Sequence, residues 1–227
     1  RHTRSFHVTG VQTCALPISA GVGDVAFLGS AYRSISFDVM WWLNLKDESN
    51  RGVFGGGFLG MDNIGVFDRD QPLPTGGILD EVDGTAWMAT LIMHMLEMTV
   101  ELAHHDPTYI RMFGRWTWDA WLIASALENG AGTVSFWNED TGFYHDVIEF
   151  PDGSATSLEV FSMQGVVPLF AGISIPVTSV EALKTIHAEI ERLKNAYEID
   201  QAFLPLQLSG GDGDRKSTRL NSSHVKR

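Results

Sequence analysis

Three long stretches of the chain repeat apolar residues at three- and four-residue steps, the spacing that predicts helices. The first covers residues 31–49, and its apolar positions are Ile35, Val39, Trp42, Leu43 and Leu45. The second covers residues 80–105, with Met88, Leu91, Ile92, Met95 and Leu102 on one side and Glu97 and Glu101 on another. The third follows Asp106, a good N-cap before Pro107, and runs to Asn129. Its candidates for burial are Phe113, Trp116, Ile123, Ala124 and Leu127.

The pattern changes after these stretches. Residues 142–160 alternate between apolar and polar, and Pro151-Asp152-Gly153 is a turn sequence, so a β-hairpin is predicted. Residues 162–172 are apolar but interrupted by Gly165 and Pro168, which leaves their structure open. Residues 178–197 predict a last amphipathic helix, capped by Thr178 or Ser179. Its apolar face would be Leu183, Ile186, Ile190 and Leu193. We expect a mainly α fold, a helical barrel or toroid with a small inserted β-hairpin.

Both ends of the chain have a non-biological character. Residues 8–18 (VTGVQTCALPI) and 214–224 (DRKSTRLNSSH) correspond to sequencing-adapter DNA translated in opposite orientations. We therefore expect residues 1–19 and 214–227 to be adapter-derived, and to pack against nothing specific. Residues 20–213 are then the native part, a piece cut from a longer gene.

Setting the ends aside changes the composition. The sole cysteine, Cys14, falls in the adapter segment, so residues 20–213 offer no thiol chemistry. The whole chain has a net charge of −12; residues 20–213 keep 9 basic and 27 acidic side chains, a net charge of −18. Such an acidic segment is a poor partner for nucleic acid or an anionic membrane. No run of 18 apolar residues predicts a membrane span. With no native signal peptide visible, we expect a bacterial cytoplasmic location.

The connection between the first two predicted helices is unusually long. Residues 52–77, GVFGGGFLGMDNIGVFDRDQPLPTGG, combine glycines, acids and aromatics, whereas most connections have about 4–6 residues. Carboxylates can supply general acid and base, aromatic rings stack on sugars, and glycines let the backbone approach a ligand. Asp62 lies among apolar neighbours, whose desolvation would raise its pKa and suit a proton donor; alternatively it caps a turn. Asp68 and Arg69 form either a ligand clamp or a local ion pair.

Five blocks of sequence resemble glycoside hydrolase family 63. They are MWWLNLKD, GGFLGMDNIGVFDRDQPLPTGG, DGTAWMATLIMHMLE, DTGFYHDVIEFPDG and SMQGVVPLF, which occur in the family's order between about Val39 and Leu169. The family members they resemble are bacterial proteins similar to mannosyl-oligosaccharide glucosidases. The resemblance implies an (α/α)6 toroid, of which this chain is a part, and inverting hydrolysis of α-glucosidic bonds.

The resemblance also implies roles for individual residues. Asp62 in GMDN matches the general acid, and VDGTAWM matches a helix start that contains Asp83 and Trp87. Asp83 is best explained as an N-cap, with ring contacts to a sugar as a further role; Trp87 is either a sugar platform or a core residue. The substrate-binding candidates are Asn63, Phe58, Asp68, Arg69, Asp83 and Trp87. The family's general base, a glutamate far toward the C-terminus, has no counterpart in this chain.

Metal or cofactor chemistry is not expected. His94, His104 and His105 have no metal-ligand spacing and are better explained as helix-surface or core residues. The expected partner is a carbohydrate, and the expected activity belongs to the longer parent protein rather than to this chain alone. The alternatives are a non-catalytic carbohydrate-binding or scaffold module on the same fold, or another (α/α) enzyme such as a sugar epimerase. Epimerases usually use histidine acid–base groups, and no histidine occurs between Arg51 and Gly77.

Overall fold

The computed structural model describes the chain from residue 23 to residue 220, with gaps. The continuous parts are residues 23–47, 50–55, 67–69, 71–74, 76–129 and 134–176. Beyond them only residues 184, 188–192, 195, 206–208 and 217–220 are described. The described part is mainly helical with small antiparallel sheets, as the sequence pattern predicts. No helix in it is long and apolar enough to cross a membrane.

Helix α1 spans Val25–Lys46 and so begins six residues before its predicted start. The reason is Asp24, whose carboxylate accepts a hydrogen bond from the Phe27 N–H at 2.9 Å and caps the first turn. Val39 is fully buried, whereas Phe37 and Trp41 are mostly exposed. The helix therefore buries one narrow face and leaves large apolar side chains outside it.

Helix α2, Val82–Ala103, is the central element of the described structure. It packs against α1, against helix α3 (Ile110–Asn129) and against a 3-10 helix at Met163–Phe170. Fifteen of its residues are buried, so it is enclosed on more sides than an amphipathic surface helix would be. Glu101 lies on its exposed side, as the pattern predicts.

Helix α3 begins as the sequence predicts, although through a tighter turn. Asp106 caps a 3-10 turn at Pro107–Tyr109 by accepting a hydrogen bond from the Thr108 N–H at 2.9 Å, and the α-helix follows directly. Its predicted core residues Phe113, Trp116, Ile123 and Leu127 are all buried. Ala124 is only partly buried.

The predicted hairpin is confirmed. Strands β4 (Asp146–Glu149) and β5 (Ala155–Leu158) pair antiparallel across a turn that contains Gly153 with φ +82°. A third strand, β1 (Ile78–Asp80), pairs with β4 on its other edge and was not predicted, because three residues show no alternation. A separate two-stranded ribbon joins β2 (Trp137–Asn138) to β3 (Phe143–Tyr144).

The segment whose structure the sequence left open is the 3-10 helix Met163–Phe170. Ser162 caps it by accepting a hydrogen bond from the Gln164 N–H at 3.2 Å. Gly165 lies directly against the Phe143 ring and the Tyr144 carbonyl, where a Cβ would clash. The missing side chain lets this helix approach β3 closely.

The C-terminal part corrects one expectation. Strand β8, Ser217–Leu220, pairs antiparallel with both β6 (Ser174–Pro176) and β7 (Leu206–Leu208). The prediction that residues 214–227 pack against nothing specific is therefore wrong for these four residues, because backbone pairing needs only an available strand edge. Residues 1–22 lie outside the described residues. Within the predicted last helix, residues 188–192 are helical and Ile190 is buried; most of the other positions are not described.

Candidate active site

A buried cluster of charges lies at the N-terminus of α2. The Arg69 guanidinium contacts both carboxylate oxygens of Asp83, with Nη1 at 3.1 Å from Oδ2. Its Nη2 also lies 3.4 Å from a carboxylate oxygen of Glu81 and 3.4 Å from one of Asp146. The side chains of Arg69, Glu81 and Asp83 are at most 1% exposed. One cation therefore faces three carboxylates in the interior.

The backbone of α2 takes part in the same cluster. The Asp146 carboxylate accepts a hydrogen bond from the Val82 N–H at 2.9 Å, and the Asp83 carboxylate accepts one from the Gly84 N–H at 3.0 Å. N–H groups in the first helical turn have no partner within the helix, and the helix dipole favours negative charge there. The helix terminus and Arg69 together stabilise carboxylates that burial would otherwise disfavour.

The position of Asp83 corrects a prediction. Glu81, not Asp83, occupies the N-cap position of α2, and Asp83 is the second helical residue. Part of the capping comes from outside the helix, since the Asp146 carboxylate on β4 binds the first free N–H group. The N-cap assignment of Asp83 is therefore wrong, because the helix begins two residues earlier than that assignment requires.

Burial sets the protonation behaviour of Asp146. It raises the pKa of Asp146 to about 6, against the opposing effects of Arg69 and of the Val82 N–H, while the neighbouring Asp83 raises it further. Burial alone would lower the pKa of Arg69, but its hydrogen bond to Asp83 and the surrounding carboxylates raise it overall. Asp146 therefore titrates close to neutral pH while Arg69 keeps its charge.

Two contacts attach the long loop to the first turn of α2. The Phe54 N–H donates to the Thr85 hydroxyl at 3.0 Å, before the undescribed residues 56–66. After them, Arg69 binds Asp83. Both ends of the segment that carries Asp62 are therefore fixed within one turn of the same helix.

A second polar group lies beside the cluster, on the β1–β4 pair. Arg51 binds Glu149 at 2.8 Å and lies 3.5 Å from Asp80. Burial raises the pKa of Asp80 to about 7, opposed by Arg51 and reinforced by Glu149. The Asp47 carboxylate accepts hydrogen bonds from the N–H groups of Arg51 and Gly52, at 2.8 and 2.7 Å. These contacts hold the beginning of the loop against the sheet.

Aromatic side chains border the cluster one helical turn further along α2. Trp87 is half-buried, and its ring lies 6.0 Å from that of Phe170 at the end of the 3-10 helix. At the other end of that helix, Gln164 donates a hydrogen bond to Asp146 at 3.3 Å. The 3-10 helix thus contacts both the charged cluster and the aromatic pair.

The predicted site residues divide into three groups. Asp62, Asn63 and Phe58 lie outside the described residues. Arg69, Asp83 and Trp87 are brought together at the start of α2, whereas Asp68 is exposed. The described ion pairs of Arg69 are with Glu81, Asp83 and Asp146, and its burial keeps its guanidinium from direct contact with a ligand in this conformation.

Sequence reasoning missed Glu81, Asp146 and Gln164. Glu81 directly precedes α2, where a carboxylate suits a helix N-terminus. Asp146 begins strand β4, whose first three residues are all buried, and nothing in the local sequence distinguishes it from an exposed aspartate. Gln164 likewise carries no signal, because its segment had no assigned structure.

The described residues contain no group of three histidine, cysteine, aspartate or glutamate side chains arranged to hold a metal ion. Although Glu81, Asp83 and Asp146 converge, their shared centre is occupied by the Arg69 guanidinium. His94 lies 3.6 Å from Glu97, and His104 and His105 lie 4.0 and 3.9 Å from Glu101. These three histidines therefore lie near glutamates of α2, with His104 and His105 just beyond its last residue.

Among known proteins, the chain has a relative in yeast. The chain is 32% identical over 205 residues to a Saccharomyces cerevisiae protein described as uncharacterized protein YMR196W. The match covers 85% of this chain and 19% of the yeast protein, so the chain spans about a fifth of that relative's length. No protein-family model matches the chain, and no solved structure matches it. Because the relative's name states no activity, a functional assignment depends on the residues themselves.

Proposed function

We propose that this chain is a segment of an inverting α-glucosidase-type glycoside hydrolase that acts on glucosides or oligosaccharides. In this proposal Asp62 is the general acid, and a carboxylate from outside this chain is the general base. The chain alone would then be inactive. The resemblance of the five sequence blocks to family 63 is the starting point, and the geometry around α2 supports it.

The observation that carries the proposal is the attachment of the loop at both ends. Phe54 and Arg69 bracket the segment that contains Asp62, and both bind the first turn of α2. Catalytic groups are commonly carried on loops that a rigid scaffold positions, and they need support from packed and hydrogen-bonded neighbours. Trp87, one turn along the same helix, offers a half-buried ring of the kind that stacks on sugars.

The proposed reaction assigns different work to different residues. Asp62 would donate a proton to the glycosidic oxygen as the bond to the anomeric carbon breaks. The missing carboxylate would stand about 6.5–9.5 Å away and deprotonate the water that attacks from the opposite face of the ring. Arg69 acts on this chemistry only through the loop, as a positioning residue, because its guanidinium is buried among carboxylates.

The test uses the longer protein that contains this segment. Wild-type protein is expected to release glucose from an α-glucoside with inverted anomeric configuration, observed by proton NMR before mutarotation. Asp62→Asn should abolish this hydrolysis and leave ligand binding, measured by calorimetry, largely unchanged, because an amide cannot supply the proton. Asp152→Asn, at the exposed turn of the β4–β5 hairpin, is the matched control and should retain turnover.

Two outcomes would contradict the assignment. Turnover near the wild-type rate in Asp62→Asn would show that another residue is the acid, with Asp68 the next to test. Binding of oligosaccharides by the wild-type protein with no hydrolysis would instead assign the fold to a carbohydrate-binding or scaffold module.

A further inference from the structure

A second site lies on the flank of α3, formed by residues that the proposed hydrolysis does not use. A polar cavity of about 410 Å³ lies between three parts of the chain. These are helix α3, Asn50 at the start of the long loop after α1, and the helical residues 188–192. Its wall carries Arg111 and Arg115 from α3 and Arg192 from the helical residues. Residues 20–213 contain nine basic residues in all, so a third of them line this one cavity.

The three guanidiniums are held in different ways. Arg115 donates to Asp119 at 2.6 Å, and Asp119 is buried, which raises its pKa. Arg192 makes a two-pronged pair with Glu189, at 2.7 and 3.0 Å. Arg111 is exposed and forms no ion pair within the part of the chain that the structure describes. Two arginines are therefore oriented by acids, while the third presents its donors to the cavity.

Two residues that line the cavity, Gly114 and Asn50, have distinctive local geometry. A Cβ on Gly114 would collide with the Glu189 carboxylate and lie 3.2 Å from Arg192, so glycine lets this pair lie directly against α3, and a larger residue would displace it. Asn50, at the rim, has a left-handed backbone with φ +51°. Asparagine adopts this region more readily than most non-glycine residues, and the Asn50 N–H donates to the Asp47 carbonyl in the turn that follows α1. Trp118 adds an apolar surface, with its ring 4.9 Å from that of Trp121.

We propose that this cavity binds a small ligand that bears an oxyanion, either a phosphate or a carboxylate. Guanidinium groups bind both oxyanions with paired hydrogen bonds. The volume suits a ligand of monosaccharide size, since small-molecule sites have about 300–1,000 Å³. Arg111 supplies the available charge, Asn50 can hydrogen-bond hydroxyl groups, and Trp118 offers a ring face. The site is independent of the proposed hydrolysis, because it contains none of the residues assigned to it.

The local charge favours such a ligand over a neutral one. The lining of the cavity carries three guanidiniums, those of Arg111, Arg115 and Arg192, and one carboxylate, that of Asp119. Glu189 pairs with Arg192, and Asp47 lies close enough to raise the pKa of Asp119, so Arg111 is the cation that remains for a ligand. Long-range repulsion from the rest of the protein opposes anions, so binding should depend on contacts within the cavity. At moderate salt that distant repulsion is screened beyond about 10 Å.

Titration calorimetry of the 227-residue chain tests the proposal with four probes: inorganic phosphate, glucose 6-phosphate, glucuronate and glucose. At least one anion should bind with a measurable Kd, and glucose should not. Comparing the affinities of the phosphate and carboxylate probes shows which oxyanion the cavity prefers. Comparing inorganic phosphate with glucose 6-phosphate shows whether the sugar ring adds to the affinity. Arg111→Gln should weaken the bound anion at least tenfold, since a hydrogen bond to a charged group contributes about 1.5–3 kcal/mol and tenfold is about 1.4 kcal/mol.

Two further variants show whether anion binding requires this cavity or only a positive charge somewhere on the surface. Arg33→Gln removes the same charge from an exposed position of α1 outside the cavity, and it should bind like wild type. Gly114→Ala keeps every charge but displaces the Glu189–Arg192 pair, and it should weaken binding. Circular dichroism confirms that each protein is folded. Equal weakening by Arg33→Gln and Arg111→Gln, or no anion binding to the folded wild-type chain at millimolar concentrations, would overturn the proposal.

Discussion

The Arg69 guanidinium and the Asp83 carboxylate form a two-pronged ion pair in the interior, with Nη1 and Oδ2 3.1 Å apart. Arg69 lies in the long glycine-rich loop and Asp83 lies in the first turn of α2, so the ion pair attaches the loop to the helix. The side chains are 1% and 0% exposed. When two charges are this deeply buried, removing one of them leaves the other buried without a partner. Loss of either side chain should therefore lower the free energy of unfolding by a large amount.

Arg69→Met should therefore destabilise the protein by about 3–5 kcal/mol, because it leaves Glu81, Asp83 and Asp146 without their shared cation. Urea denaturation measures the change. The double variant Arg69→Met/Asp83→Asn should recover part of the loss by removing one stranded charge. The exposed control Arg33→Met should change stability by no more than about 0.5 kcal/mol. A loss as small as that in Arg69→Met would contradict the structural role of the cluster.

Stability should fall as pH rises from about 4 to about 7. Burial raises the pKa of Asp146 to about 6 and that of Asp80 to about 7, from an ordinary value of 3.8. Between these pH values the folded state binds more protons than the unfolded state. The contribution of the two protonated carboxyls to the free energy of unfolding is therefore complete below about pH 4 and is lost by about pH 7. Each group contributes a slope of at most about 1.4 kcal/mol per pH unit.

Asp80→Asn tests this pH dependence, because asparagine keeps the shape and does not titrate. Denaturation midpoints measured at several pH values should fall less steeply in the variant than in wild type between pH 4 and 7. Asp152→Asn is the control, since Asp152 is exposed at the hairpin turn and its pKa is lowered by hydrogen bonds to Ser154. An unchanged slope in Asp80→Asn would show that Asp80 does not hold a proton in the folded protein.

Two helical glycines should respond to alanine in opposite directions. Gly165→Ala forces a Cβ against the Phe143 ring and the Tyr144 carbonyl and should cost about 1–3 kcal/mol. In Gly29→Ala the new Cβ meets the Tyr109 hydroxyl at 3.4 Å, an ordinary contact, so the better helix propensity should stabilise α1 by up to about 1 kcal/mol. Thermal melting of both variants measures the difference. A stabilised Gly165→Ala would contradict the close packing of the 3-10 helix on β3.

The Tyr32 hydroxyl should matter for the three-helix core. It accepts a hydrogen bond from Trp116 Nε1 at 2.8 Å and lies 3.1 Å from the Thr99 hydroxyl, joining α1, α2 and α3. Tyr32→Phe leaves the buried Trp116 donor unpaired and should cost about 1–3 kcal/mol by urea denaturation. Tyr109→Phe removes a hydroxyl from the ring that packs edge-on against Tyr32, and it is the control. Similar small losses in both variants would show that the hydrogen bonds of Tyr32 contribute little.

The sequence by itself determined the local elements of this protein. Apolar spacing predicts α2 and α3, Asp106 predicts the start of the 3-10 turn before α3, and the turn at Pro151 to Gly153 predicts the β4–β5 hairpin. These features depend on residues a few positions apart, where helical period, capping and turn chemistry act directly. The late predicted start of α1 shows the limit, because Asp24 lies before the periodic stretch.

The tertiary structure alone decided the candidate site. Arg69, Asp83, Asp146 and Gln164 come from four segments, and no local pattern records that one guanidinium would meet three carboxylates or that Glu81 would take the cap position. Strand β1 likewise exists only because β4 supplies its partner. The physical reason is that a buried charge is tolerated only where a compensating partner is held beside it, and packing between distant segments fixes that partner's position.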